Sequence, residues 1–440
     1  MNKEMYRSLY QEPDNSYDAL IVGGSNVYTF WQAPLAWKEY GIAAFPLSTP
    51  GLPCDAIPYL IEEAEKTQKQ PLIVITVNSI KGTKNYITEE RLHWFLDHMR
   101  LSPLKLQAVN ELSNKAHLGL ARLSLVLPVL RFHANWSQLG SEEYESVPQG
   151  LKGAATYENF LYRVVDETQN YVESDKRRSL NKSLEKTLTA LLSFLEPRRS
   201  RVLFVRLPQA VGSESRVAEL NSIGDTIQAR GFDYLDLGNA KDEIGLDLTE
   251  DFDNKVHANA RGTIKFTHYF GKYLSDRYGF ADKRGSDEYK LWDEAAESYD
   301  ELLLTSVLPF ELNREARNNS IVSPAIMAAA TGDGVHLSWT ASEHADGYLV
   351  YRRMKAPSFV DCIAQNENLS TYAWSHVASL PNNVLSFTDD NPNSKTTYYY
   401  TVVPYVVDGD QRVYGRFNIN GAEVTTQELK TKTKVGGGVQ

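Results

Sequence analysis

The sequence predicts an α/β domain built on a parallel sheet with a helical insertion, followed by an all-β sandwich domain. Two observations carry this. Short apolar runs alternate with amphipathic stretches over the first three hundred residues, which is the rhythm of a parallel sheet flanked by helices. Beyond residue 332 the pattern changes to a period of two, as in Val335-His336-Leu337-Ser338-Trp339 and Tyr348-Leu349-Val350-Tyr351.

Taken in order, buried strands are expected at residues 19–22, 43–47, 72–77, 202–207 and 234–237, each an apolar run too short for a helix. Helices are expected at 56–66, 89–99, from 160 to about 194 with interruptions, 215–230 and 263–278. The last carries Ile264, Phe266, Thr267, Phe270 and Leu274 at helical spacing. A mostly helical insertion fills residues 80–200, an excursion long enough to build a lid or a substrate wall. The α/β domain is expected to span 1–311, a linker 312–332, the β domain 333–428 and a disordered tail 429–440.

The chain has 440 residues, room for two or three domains, and 42% hydrophobic against 23% charged residues is ordinary globular composition. No apolar run approaches the roughly 18 residues of a membrane span. The first residues lack a basic-then-apolar leader pattern, so the cytoplasm is the expected compartment. A formal charge of −10 argues against nucleic-acid partners. Lys176-Arg177-Arg178 and the run 198–201 are local basic exceptions, read as solvated helix and strand ends. Cys54 and Cys362, the two cysteines, are too few and too far apart for a disulfide framework or a cysteine zinc site. Nine dispersed histidines and the lack of an Asp-rich loop or Gly-rich phosphate loop predict no metal and no cofactor.

Two segments stand out. Tyr17-Asp-Ala-Leu-Ile-Val-Gly-Gly-Ser25-Asn26 reads as a buried strand ending in a Gly-Gly-Ser turn. Asp251-Phe-Asp253-Asn254-Lys-Val-His257-Ala-Asn-Ala-Arg-Gly262 reads as a loop that delivers a histidine just before a helix. Ser25 would emerge at the carboxyl edge of the sheet, where open α/β folds bind ligands. A serine hydroxyl there is a useful nucleophile only if a base reaches it. Each alone reads as well as structure, Ser25 as a helix cap or turn residue and His257 as a buried or capping histidine.

In combination these segments resemble the SGNH (GDSL-like) hydrolases, and more narrowly the bacterial branch that modifies cell-surface polysaccharides and teichoic acids. The resemblance covers about residues 17–300, including Phe132–Trp136 and Asp282–Trp292. It implies a three-layer, flavodoxin-like SGNH fold, with Ser25 as nucleophile and His257 as general base. The family's acid lies three residues before the histidine, where this chain has Asn254. An asparagine orients an imidazole through its carbonyl oxygen without stabilising the imidazolium by charge; Asp251 and Asp253 are the nearest carboxylates, and in many enzymes of this fold a serine-histidine dyad suffices. The resemblance further implies an oxyanion hole from Ser25 or Asn26 N–H, Gly51 N–H and the Asn78 side chain. Gly51 reads equally as a turn glycine, and Asn78 as a loop cap. His133, Asn135 and Trp136 could line a sugar site, or Trp136 could be core. Arg206 could bind an anionic substituent, or pair with a nearby acid.

The second domain resembles fibronectin type III modules, through the 335–339 and 345–352 segments, Ser386-Phe-Thr-Asp-Asp and Thr397-Tyr-Tyr-Tyr400-Thr-Val. That implies Trp339 and Tyr400 in a sandwich core, Tyr348 on a strand facing its neighbours, and a glycan or protein partner in place of chemistry. Bacterial modules of this type are most often on exported proteins, which makes the cell surface the alternative compartment. The function expected is a serine esterase or O-acyltransferase acting on an acylated, carbohydrate-type substrate or other ester through an acyl-enzyme. The alternative is a catalytically degenerate domain that binds glycans or scaffolds a partner.

Overall fold

The computed structural model describes residues 2–82, 86–127, 152, 171–248, 251–252, 254–302, 321–354, 375–390, 392–409, 411–415 and 421–427. The chain forms two compact units, Met1–Tyr299 and Asp300–Gln440, a division twelve residues before the expected linker.

The first unit is organised by five parallel strands, β1 (Ala19–Gly23), β2 (Ala44–Ser48), β3 (Leu72–Thr76), β4 (Val202–Arg206) and β5 (Asp233–Asp236). Their order in the sheet is β2-β1-β3-β4-β5, the flavodoxin-like arrangement of doubly wound folds. Every residue of β1 to β4 is buried, because helices cover both faces of such a sheet and leave no solvent side for polar alternation. β5 is one of the two edges, opposite β2, and carries Asp233 and Asp236 at its ends, charges that discourage further strand pairing. The chain reverses its winding direction between β1 and β3, so the loops after these two strands part and leave a crevice at their carboxyl ends.

The strands begin and end within one or two residues of expectation, whereas three helices near the N-terminus have no counterpart in the sequence reading. They are Asn2–Gln11, Ser25–Phe30 and Ala33–Tyr40, the second beginning at Ser25 itself. Between β3 and β4 the described part of the insertion includes helices Glu89–Leu96, Pro103–Lys115, Arg122–Val126 and Lys182–Leu195, while residues 171–181, expected within a helix, are in no regular element. Thr88, Ser102 and Asn181 cap three of these by accepting a backbone N–H of the first turn. The segment 282–292 packs back on the core, where Trp37 stacks on Tyr289 at 5.3 Å and Trp292 donates to Glu12 Oε2 at 3.1 Å.

The second unit contains antiparallel strands β6 (Ile326–Thr331), β7 (Gly334–Trp339), β8 (Gly347–Met354), β9 (Ser375–Pro381), β10 (Ser386–Asp389), β11 (Thr397–Asp408), β12 (Gln411–Tyr414) and β13 (Ala422–Thr425). One sheet runs β10-β7-β6, the other β12-β11-β8-β9 with β13 also on β11. The inner faces share a core of Val335, Leu337, Trp339, Tyr348, Val350, Tyr400 and Val402. At its edge the buried Asp389 carboxylate accepts from Tyr400 Oη at 2.7 Å and from Arg352 Nη1 at 2.5 Å.

One boundary is corrected. Residues 326–331, expected inside the linker, are strand β6, paired with β7 from Ile326↔Trp339 to Thr331↔Gly334. Their alanines look featureless as side chains, but pairing is a main-chain property and the Gly334 turn makes it local. Gly334 has φ +145°, and a Cβ there would lie 2.0 Å from Asp389 O. The expected tail, 429–440, lies outside the described residues.

Candidate active site

The crevice is made first by glycine. A Cβ on Gly23, the last residue of β1, would lie 2.0 Å from Thr76 Oγ1, so β1 and β3 converge only because that atom is missing. Gly24 N–H then donates to Ser79 Oγ at 2.8 Å, and Ser79 donates in turn to Asn26 Oδ1 at 3.1 Å. This hydroxyl lattice fixes the start of the helix that carries Ser25. The Asn26 N–H lies in the first turn, where a helix supplies no carbonyl partner of its own.

The histidine arrives on a closed loop. Phe252 and Ala258 form an antiparallel bridge across it, and Asn259 caps the following helix, Ala260–Tyr278, by accepting from Gly262 N–H at 3.2 Å. That helix is fastened to the Ser25 helix by two threonines. Thr263 Oγ1 donates to Thr29 O at 2.7 Å, and Thr267 Oγ1 accepts from Gln32 N–H at 3.0 Å. Phe30 packs edge-on against Phe252 and Phe266 beneath them. With both helices held, Ser25 Oγ and His257 Nε2 stand 2.8 Å apart, a direct hydrogen bond. Burial lowers the His257 pKa from its ordinary value, so the ring is neutral at pH 7.

Asn254 faces the other ring nitrogen, but with its amide nitrogen and not with the carbonyl oxygen expected from the sequence, Nδ2 lying 3.0 Å from His257 Nδ1. Its Oδ1 accepts two backbone N–H groups, from Val256 and His257, each at 3.1 Å. Asp251 does something else. Its fully buried carboxylate accepts from Asp247 N–H at 2.7 Å and Lys265 Nζ at 2.6 Å, with Arg261 Nε at 3.3 Å. It anchors the loop to the following helix and is not the partner of His257 Nδ1, which corrects one sequence expectation. Asp253 lies outside the described residues.

Ser25 and His257 open onto a cleft of about 400 Å³ whose walls include Asn26, Gly51, Asn78, Lys81, Gln209 and Arg216. Gly51 holds φ +56°, a conformation that favours glycine, at the turn after β2. Asn78 bridges to the end of β4, its Nδ2 donating to Leu207 O at 3.0 Å and its Oδ1 accepting from Leu207 N–H at 2.7 Å. One of its N–H groups is therefore structural, and only the second could meet a ligand. Arg206 does not line the cleft. It is 4% exposed and donates to Asn221 Oδ1 at 2.7 Å and Asp236 Oδ2 at 3.2 Å, so it pairs with an acid and the anion-binding expectation is withdrawn. His133, Asn135 and Trp136 lie outside the described residues.

Sequence reasoning missed Lys81 and Arg216, the two cations among the described lining residues, which include no carboxylate. Desolvation first, then the charges of Arg216 and Arg91, lower the Lys81 pKa. Lys81 follows the end of β3 closely, and position after a parallel strand's carboxyl end was the available signal. Thr263 and Thr267 were missed because one-turn spacing toward another helix carries no motif.

No family model and no curated protein matches the chain. Among solved structures, a fibronectin type III domain of human collagen XX is 19% identical, covering 24% of this chain and 94% of that chain, with TM-score 0.18. A fibronectin-like protein from Clostridium thermocellum is 21% identical over 26% of this chain and 99% of that chain, with TM-score 0.17. An acetyl xylan esterase from the rumen bacterium Butyrivibrio proteoclasticus is 12% identical over 61% of this chain and 66% of that chain, with TM-score 0.26. Likenesses this distant assign neither family nor activity, and the site rests on its own geometry.

Proposed function

We propose that the first unit is a serine hydrolase or O-acyltransferase of the SGNH type, acting on an acylated carbohydrate or similar ester through an acyl-enzyme at Ser25. The observation that carries it is the 2.8 Å contact between Ser25 Oγ and His257 Nε2 at the mouth of the sheet crevice. In the reaction Ser25 Oγ bonds to the acyl carbon as its proton passes to Nε2. The oxyanion is met by the Asn26 N–H and by donors near Gly51 and Asn78. Nε2–H then protonates the leaving alkoxide as the C–O bond breaks, and water or an acceptor hydroxyl reverses these steps. Lys81 favours an electron-rich or anionic substrate at the cleft wall, whereas Arg216 is engaged by Glu219 and by the carbonyls of Asn78 and Ile80. His133, Asn135 and Trp136 are proposed for the sugar. The β unit is proposed to hold a glycan or protein partner.

A second reading, a binding domain that retains the shape of a hydrolase, is favoured by Asn254 at the position of the acid. A short-chain aryl ester, assayed with the unaltered chain and with Ser25→Ala, separates the two. Esterase activity that disappears with the serine is expected from an enzyme; equal rates in both proteins would sink it.

A further inference from the structure

We propose that Asn254 holds His257 as the Nε2–H tautomer, so that the imidazole donates to Ser25 instead of accepting its proton. The inference rests on the reading of Ser25 and His257 as nucleophile and base, and concerns how that pair is regulated.

The geometry that carries it is the direction of one amide. Oδ1 of Asn254 receives the N–H groups of Val256 and His257, both at 3.1 Å. Turning the amide over would place its NH₂ against these two donors, so the loop's own backbone decides which atom is oxygen. Nδ2, a donor, is therefore the atom that faces His257 Nδ1 at 3.0 Å. A neutral imidazole has one donor and one acceptor nitrogen. Nδ1 accepts from Asn254, so its proton sits on Nε2 and points at Ser25 Oγ, 2.8 Å away.

This arrangement is the reverse of what acylation needs. Nε2 can take the Ser25 proton only with its lone pair free, which requires the ring to lose the Nε2 proton and gain one on Nδ1. Nδ1–H would then confront an N–H of Asn254, donor against donor. In serine protease triads the same aspartate-to-asparagine change preserves the geometry and lowers kcat about 10⁴-fold through the wrong tautomer. Here the amide is the native residue, so Asn254 is a positioning residue that keeps the pair aligned and throttled. In the resting state Ser25 accepts from the ring, and Tyr28 is a second side-chain hydrogen-bond partner of its hydroxyl. An aspartate at this position would keep one oxygen on the two backbone N–H groups and present the other to Nδ1–H, restoring the productive tautomer with no change of shape.

The test has two arms on the full-length chain. Ring ¹⁵N NMR of histidine-labelled protein, with His257 assigned by loss of its signals in His257→Gln, reads the tautomer without any substrate. The expected result is a protonated Nε2 and an accepting Nδ1 in the unaltered chain, and the reverse in Asn254→Asp. A protonated Nδ1 in the unaltered chain, which is what a carboxylate on that nitrogen would give, overturns the proposal. In the second arm, kcat/KM on an aryl ester is expected to rise about 10² to 10⁴-fold in Asn254→Asp and to vanish when Ser25→Ala is added. A switched tautomer with no Ser25-dependent rate would leave the tautomer lock standing and sink the hydrolase reading. An unswitched tautomer sinks the lock whatever the rate.

Discussion

Asp251 and Asn254 stand three residues apart in one loop and do opposite work. The carboxylate is buried against Lys265, Arg261 and a backbone N–H, where its charge ties the loop to the next helix. The amide stands beside the imidazole, where a carboxylate would have stabilised a charged ring. Among the described residues, negative charge is thus present where it fixes the loop, and an uncharged group of the same shape faces the imidazole. On the proposed reading Asp251 sets the stability of the loop and Asn254 the proton position on the ring, so the two are open to separate alteration.

The largest expected effect is the gain in ester turnover of Asn254→Asp, with unfolding by urea shifted by less than about 0.5 kcal/mol because the replacement is isosteric. A large stability change would mean that Asn254, like Asp251, holds the loop. Asp251→Asn is expected to destabilise by about 3 kcal/mol, since it leaves Lys265 and Arg261 facing a neutral amide in a buried setting. The urea midpoint measures this, and a neutral result would show that the loop closes without the charge. Exchanging the two, Asp251→Asn with Asn254→Asp, should keep the stability loss of the first change in full.

Thr263→Val is expected to cost about 1 kcal/mol for the hydrogen bond to Thr29 O. In the Asn254→Asp background it should also lower turnover several-fold by loosening the Ser25–His257 contact. Unchanged turnover there would separate the threonine from the site. The smallest effect concerns pH. Burial lowers the His257 pKa from 6.5, so the unfolded chain takes up its proton first as pH falls, and His257 costs stability below about pH 6.5. The acid limb of Ser25 reactivity should lie below pH 6.5 in the unaltered chain. It should move upward in Asn254→Asp, where a carboxylate favours the imidazolium, and an unmoved limb would show that the new charge does not reach the ring.

Much of the fold was legible because parallel strands buried on both faces appear as apolar runs. Such runs at 72–77 and 202–207 located β3 and β4 to within a residue. The Ser25 and Ala33 helices were not legible, since short buried helices present no polar face and hence no period. Strand β6 was hidden for the converse reason, main-chain pairing by alanines. That Ser25, His257 and Asn254 lie together was expected from the order of the two motifs and the family resemblance. The partner of Asp251 was not, because the sequence offers two carboxylates near His257 and only folding shows that Lys265, a helix away, claims one. Of the two readings open for Arg206 the pairing with an acid holds, and the sequence could not choose between them because Asn221 and Asp236 stand on neighbouring elements.

The most direct measurement is the rate at which a fluorophosphonate modifies Ser25, followed by intact mass in the unaltered chain, Asn254→Asp and Ser25→Ala. Slow modification of the unaltered chain, at least about a hundredfold faster modification of Asn254→Asp, and none of Ser25→Ala is the expected result. Equal rates in the first two proteins would contradict a serine held back by the tautomer of its histidine.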